Sequence, residues 1–113
     1  MNEKYFVEIT TLLKQVRPKL TSTHQLKFKN VFGAVAGYVD GNIFISCGEF
    51  GVALRLPPDT LVALFREKEA KRLKYFPKGH IKREYAVLSK RILNDKLQLR
   101  KLTDESIKYV SSF

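Results

Sequence analysis

Apolar residues recur along this chain with two different periods, and the change from one to the other divides it. From Lys4 to Val16, the residues Tyr5, Phe6, Ile9, Leu12, Leu13 and Val16 return every three or four positions, which puts them on one face of a helix. Asn2 suits the start of that helix, and Pro18 disfavours helical geometry at Arg17 and so sets its end. Lys19 to His24 is a polar connector. From Gln25 the period shortens to two, and the stretch Asn30 to Leu56 alternates β-rich runs with glycine turns. Strands are predicted over Gln25 to Phe32, Ala34 to Val39, Asn42 to Cys47 and Val52 to Leu56. Asp40-Gly41 joins the second to the third, where a tight hairpin needs residues that tolerate positive φ. Asn30 marks an expected bulge or bend in the first strand, and Cys47 falls on the parity of Ile43 and Ile45.

Pro57-Pro58 stops this meander. Proline fits the first turn of a helix and Asp59 complements its dipole, so a second helix is expected to about Ala70 with Leu61, Leu64 and Phe65 inward. Lys71 to Arg83 reads as an ordered loop anchored by Leu73, Tyr75, Phe76 and Ile81 around a Pro77 to Gly79 turn. Glu84 to Leu88 reads as a fifth strand. Asp95 with Gln98 has the form of a capping box before a last helix to about Val110, with a weak point in its period at Thr103 to Ser106. The fold class is therefore α+β: two layers, an antiparallel sheet of about five strands with helices on one face and the other face open. Residues 1–113 form a single domain, without repeats, low-complexity tracts or a flexible linker.

Charge changes this picture in one place. The chain carries 21 Lys and Arg against 11 Asp and Glu, a net of +10, and residues 66–101 hold 13 of those cations against 4 acids. Basic and aromatic residues interleave there. Arg66, Lys68, Lys71, Arg72, Lys74, Tyr75, Lys78, Lys82 and Arg83 are the candidate contacts for a polyanion or an acidic partner, the cations neutralising charge and the ring able to stack. The same run is also what a solvated face looks like.

Catalytic chemistry finds little to build on. His24 and His80 are not spaced as a ligand pair, and Cys47 is the single cysteine, which excludes an internal disulfide and a cysteine-cluster metal site and points to a cytoplasmic protein. Gly33-Ala-Val-Ala-Gly37 lacks the Lys-Ser/Thr of a nucleotide-phosphate loop. The acids show neither EF-hand nor paired-hydrolase spacing. No catalytic residue, metal or cofactor is expected, and no apolar run is long enough to span a membrane.

The motifs in order resemble the TfoX amino-terminal domain family. Val31-Phe32-Gly33, Gly37, Val39-Asp40-Gly41 with Phe44, Leu54-Arg55-Leu56, Lys78-Gly79 and Glu84-Tyr85 are similar in order and spacing to that family's pattern, over about residues 3–111. Val31 stands where the family usually has Met, and Ser89 where it usually has Pro. The resemblance implies a secretion-chaperone-like α+β domain in which Phe32, Gly33, Gly37, Asp40, Gly41, Phe44, Leu54 and Arg55 are structural. It also implies a non-enzymatic regulatory or interaction domain of the kind associated with natural competence, for which a protein partner is expected; the free sheet face or an edge strand is in turn where a homodimer is expected to form. Full-length TfoX proteins usually add a second, helical carboxy-terminal domain. Direct nucleic-acid binding by segment 66–91 is the alternative, and a small enzyme a second one.

Overall fold

The computed structural model describes all residues, Met1–Phe113. Helix α1 spans Glu3–Val16, capped by the Asn2 side chain, which accepts from the Tyr5 amide at 3.1 Å. A 3-10 turn at Leu20–Ser22 leads into four strands, β1 (Leu26–Val31), β2 (Ala34–Val39), β3 (Asn42–Gly48) and β4 (Gly51–Arg55). Helix α2 (Pro58–Arg66), strands β5 (Ala70–Leu73) and β6 (Lys82–Leu88), a one-turn helix α3 (Lys90–Leu93) and helix α4 (Lys96–Val110) follow. The sheet is antiparallel throughout, in the order β1-β2-β3-β4-β6-β5. It is an α+β domain with helices packed on the sheet, as the periodicity predicts.

One face of the sheet and the helices share the main core. Ile9, Leu13 and Val16 of α1, Leu61 and Leu64 of α2, and Leu99, Leu102, Ile107 and Val110 of α4 pack against Val35, Val39, Ile45, Val52, Leu54 and Leu88. Burying each such aliphatic side chain contributes on the order of 1.5–3 kcal/mol. Two buried hydroxyls sit among them with their partners: Thr103 donates to the Leu99 carbonyl at 2.7 Å and Ser106 to the Phe44 carbonyl at 3.0 Å. These polar positions are what weaken the sequence period at 103–106, yet the helix runs through unbroken because both groups are satisfied.

The structure departs from the sequence reading in four places. The sheet has six strands, because α2 ends at Arg66 and the next residues turn back as an edge strand. Lys68 takes a left-handed φ of 58°, its amide donates to the Phe65 carbonyl, and the Glu69 amide to the Leu64 carbonyl. This is the glycine-favoured helix ending, built here on a lysine. Second, β1 pairs in unbroken register past Asn30, and the irregularity lies in β3: Ile45 pairs with Gly37 and Ile43 with Tyr38, leaving Phe44 as the extra residue. Phe44 drops into the main core, and Ile43 and Ile45 consequently face opposite ways. Cys47 shares the helix face with Ile45 and not with Ile43. Third, α3 precedes α4 as a separate turn, capped by Ser89, whose Oγ accepts from the Ile92 amide at 3.2 Å. Asp95 caps α4, but Gln98 closes no reciprocal box; its side-chain oxygen accepts from Arg91 instead.

The fourth departure concerns the sheet's second face, expected to be open. Ala53, Leu73 and Tyr85 are buried there, with Ile43, Phe50, Tyr75 and Val87 against them. The segment between β5 and β6 crosses this face and lays Tyr75 on it.

Candidate interaction surface

The second face is organised by two features far apart in sequence. The first is the β1–β2 turn, a two-residue connection in which Phe32 has φ 48° and Gly33 φ 82°. Paired left-handed residues match the twist of a two-residue hairpin, and Asp40-Gly41 repeats the geometry at φ 51° and 86°. Asp40 ties its turn to the start of β1, since its carboxylate accepts from the Gln25 amide at 2.8 Å. Phe32 makes no such hydrogen bond; a bulky side chain is rare in this region, and the residue stays 67% exposed.

The second feature is the 74–81 segment. Tyr75 bonds Ser46 through its hydroxyl at 2.7 Å, and burial pushes its phenol above the ordinary range, so it stays neutral. The rings then form a run: Phe50 to Tyr75 at 5.6 Å, Tyr75 to Phe32 at 5.7 Å, and Phe32 to Phe76 at 5.6 Å, all tilted or edge-on. Such pairs add about 0.5–1.5 kcal/mol each beyond area burial. Gly79 closes a turn on the Phe76 carbonyl at 2.8 Å, which holds Phe76 against the run.

Between these features lies a hollow of about 270 Å³ walled by Phe32, Tyr38, Ile43, Tyr75 and Tyr85, with Arg55, Lys82 and Glu84 as its charged groups. A smaller recess of about 60 Å³ adjoins it, shares Phe32, Tyr75 and Lys82, and adds Phe76 and His80. Lys29 sits over the Tyr38 ring at 5.0 Å. Arg55 is clamped by an ion pair to Glu84 at 3.0 Å and by the Phe113 ring at 4.6 Å, while its buried Nε has no acceptor. Glu84 also accepts from the Tyr109 hydroxyl at 3.3 Å, so the one acid of the hollow is engaged on both oxygens.

The nine sequence-selected contacts divide. Tyr75 and Lys82 line the hollow, and Lys74 and Lys78 are exposed in the same crossing segment. Lys71 stands opposite Val87 on the second face of the edge strand, and Arg83 is exposed early in β6. Arg72 faces the helix side, its guanidinium over the Phe65 ring at 4.4 Å. Arg66 belongs to the last turn of α2, and Lys68 shapes the backbone that follows it. Of the residues assigned structural roles, Gly33, Asp40 and Gly41 make the turns, and Phe44 and Leu54 are core. A Cβ on Gly37 would lie 2.7 Å from the Ile45 side chain, so that position admits only glycine without repacking. Phe32 and Arg55 face the hollow instead. Tyr85 enters the sequence reading only through the Glu84-Tyr85 motif and Tyr38 not as a contact, yet both wall the hollow.

Cys47 and the two histidines do not meet. Cys47 is fully buried on the helix face, donates to Glu8 at 3.1 Å, and is pushed up to about 12 by burial and then by that carboxylate. His80 lies on the opposite face, and His24 bonds Thr23 at 2.8 Å. A larger groove of about 640 Å³ runs between α2 and α4, rimmed by Asp59, Glu67, Asp95 and Glu105 against Lys101. No helix is long and apolar enough to cross a membrane.

The model of the TfoX N-terminal domain matches residues 19–109. No curated protein and no solved structure matches the chain.

Proposed function

The chain belongs to the TfoX N-terminal domain family, and on that footing we propose that it is a non-enzymatic interaction domain of a regulatory system, working through the second face of its sheet. One observation carries this reading. Phe32 is held in a backbone conformation that disfavours it, with most of its ring exposed, where rings from a segment more than forty residues away meet it. Strain without return in the core is a mark of a functional position. The separation of Cys47 from His80 by the whole sheet supports the non-enzymatic part, and a single buried thiol accords with a cytoplasmic setting.

The domain acts as a monomer in this reading. Its edge strands expose Lys27 and Lys29 on β1 and Lys71 and Arg72 on β5, so joining two copies edge to edge brings like charges together. Light scattering is expected to give the mass of one chain. The surface itself is tested by capture from native lysate, with and without nuclease, on immobilised wild type, Phe32→Asn and Leu97→Ser, the last altering an exposed residue of the α2–α4 groove. Loss of binders with Phe32→Asn alone is the expected result. Loss with Leu97→Ser alone would move the surface to the groove.

A further inference from the structure

We infer that the ligand of this face is single-stranded nucleic acid, with unpaired bases stacking on Phe32 and Phe76 and phosphates held by Lys82 and the exposed lysines of the crossing segment. The inference rests on the reading of the second face as the binding surface. Its first support is the kind of apolar surface on offer. Phe32 is 67% and Phe76 48% exposed, and the two rings touch at 5.6 Å. The two exposed rings meet edge-on, so each offers a planar group its own surface, and every base has a face to stack, whereas the faces inside a duplex are already covered.

The second support is charge. Lys82 lines both parts of the hollow, Lys29 borders it, and Lys74 and Lys78 flank Tyr75 and Phe76. The only acid there, Glu84, is taken up by Arg55 and Tyr109. A phosphate chain therefore meets cations on several sides and no free carboxylate. The shape is the third support: a hollow of about 270 Å³ has room for a planar ring, while reading a duplex calls for a helix or ribbon projecting into a groove, and this face projects neither.

The experiment is fluorescence anisotropy with labelled oligothymidylate and oligouridylate of about 12 nucleotides and a duplex of equal length, from about 50 to 200 mM salt. Single strands are expected to bind more tightly than the duplex. Phe32→Asn and Phe76→Ala are each expected to weaken that binding roughly 5- to 150-fold without changing the salt slope. Lys82→Gln should flatten the slope by about 0.7. Phe32→Asn suits the turn, and Phe76→Ala removes an exposed ring, so either variant serves if the other misfolds. Equal or tighter duplex binding, unchanged affinity in both ring variants, or no binding at about 50 mM salt each overturns the inference. A nuclease-resistant protein, or vesicles of anionic phospholipid, held by wild type and lost with Phe32→Asn while oligonucleotides fail to bind, overturns it but leaves the surface standing. Captured material indifferent to Phe32→Asn overturns both.

Discussion

The two faces of the sheet are built on different chemistry. The helix face is aliphatic and closed: Val35, Val39, Ile45, Leu54 and Leu56 have no exposed surface, and the four helices supply their neighbours. The outer face is aromatic and only partly closed, with hydroxyls and charges fixed among the rings by Ser46, Arg55 and Glu84. Aliphatic packing is indifferent to what binds outside. A half-open set of rings with fixed polar tips adds its pair contacts to the fold and still leaves ring surface exposed. The contrast separates where this domain keeps its stability from where it spends surface.

The largest effect belongs to the closed face. Leu54 is fully buried at the centre of the sheet, and truncation there leaves a void that its strand neighbours cannot fill. Leu54→Ala is expected to cost about 2–5 kcal/mol, read as a lower urea midpoint at unchanged slope. A cost below about 1 kcal/mol would mean that the helix layer is loosely packed and that the contrast between the faces is overdrawn.

A second effect appears only in alkali. The folded state holds the Cys47 thiol neutral up to about 12, through burial first and the Glu8 carboxylate next. An unfolded thiol titrates near 8.5, so its contribution is complete below that value and is lost as pH climbs through the interval to 12. Tyr75 and Tyr85, on the outer face, are raised by burial too and act in the same direction at higher pH. Comparing wild type with Cys47→Ala at about pH 8 and pH 10 assigns the loss. A steeper decline in wild type places it on the helix face, and parallel declines transfer it to the tyrosines.

How far the sequence carried differs between the faces for the same reason. The helix face is legible because local signals govern it: α1 and the inward residues of α2 follow from helical spacing, and the β2–β3 hairpin from Asp40-Gly41 between two alternating runs. The bulge at Phe44 is not legible, because Ile43 and Ile45 are both apolar and each face of the sheet accepts them. Strand β5 is hidden by its four-residue length and by a helix ending made on Lys68, where glycine would have signalled it. The outer hollow draws residues from β1, β2, β3, β4, β6 and the crossing segment, and no local pattern announces such a convergence. The cation run 66–83 was visible, but backbone parity turned Arg72 to one side and Lys71 to the other.

The smallest expected change in stability falls on the residue that the proposed function needs most. At Phe32, Asn removes the ring contacts to Tyr75 and Phe76, worth about 0.5–1.5 kcal/mol each. It also replaces a bulky left-handed residue, strained by roughly 1–2 kcal/mol, with the Asn-Gly pair that two-residue hairpins favour. The two terms oppose each other, so Phe32→Asn should leave the unfolding free energy within about 1 kcal/mol of wild type. Denaturant unfolding checks it beside the Leu54→Ala series. A loss of several kcal/mol would make Phe32 a packing residue whose exposure is incidental, and the division of labour between the two faces would not hold. Retained stability together with lost binding is a combination that no core residue of this chain can produce.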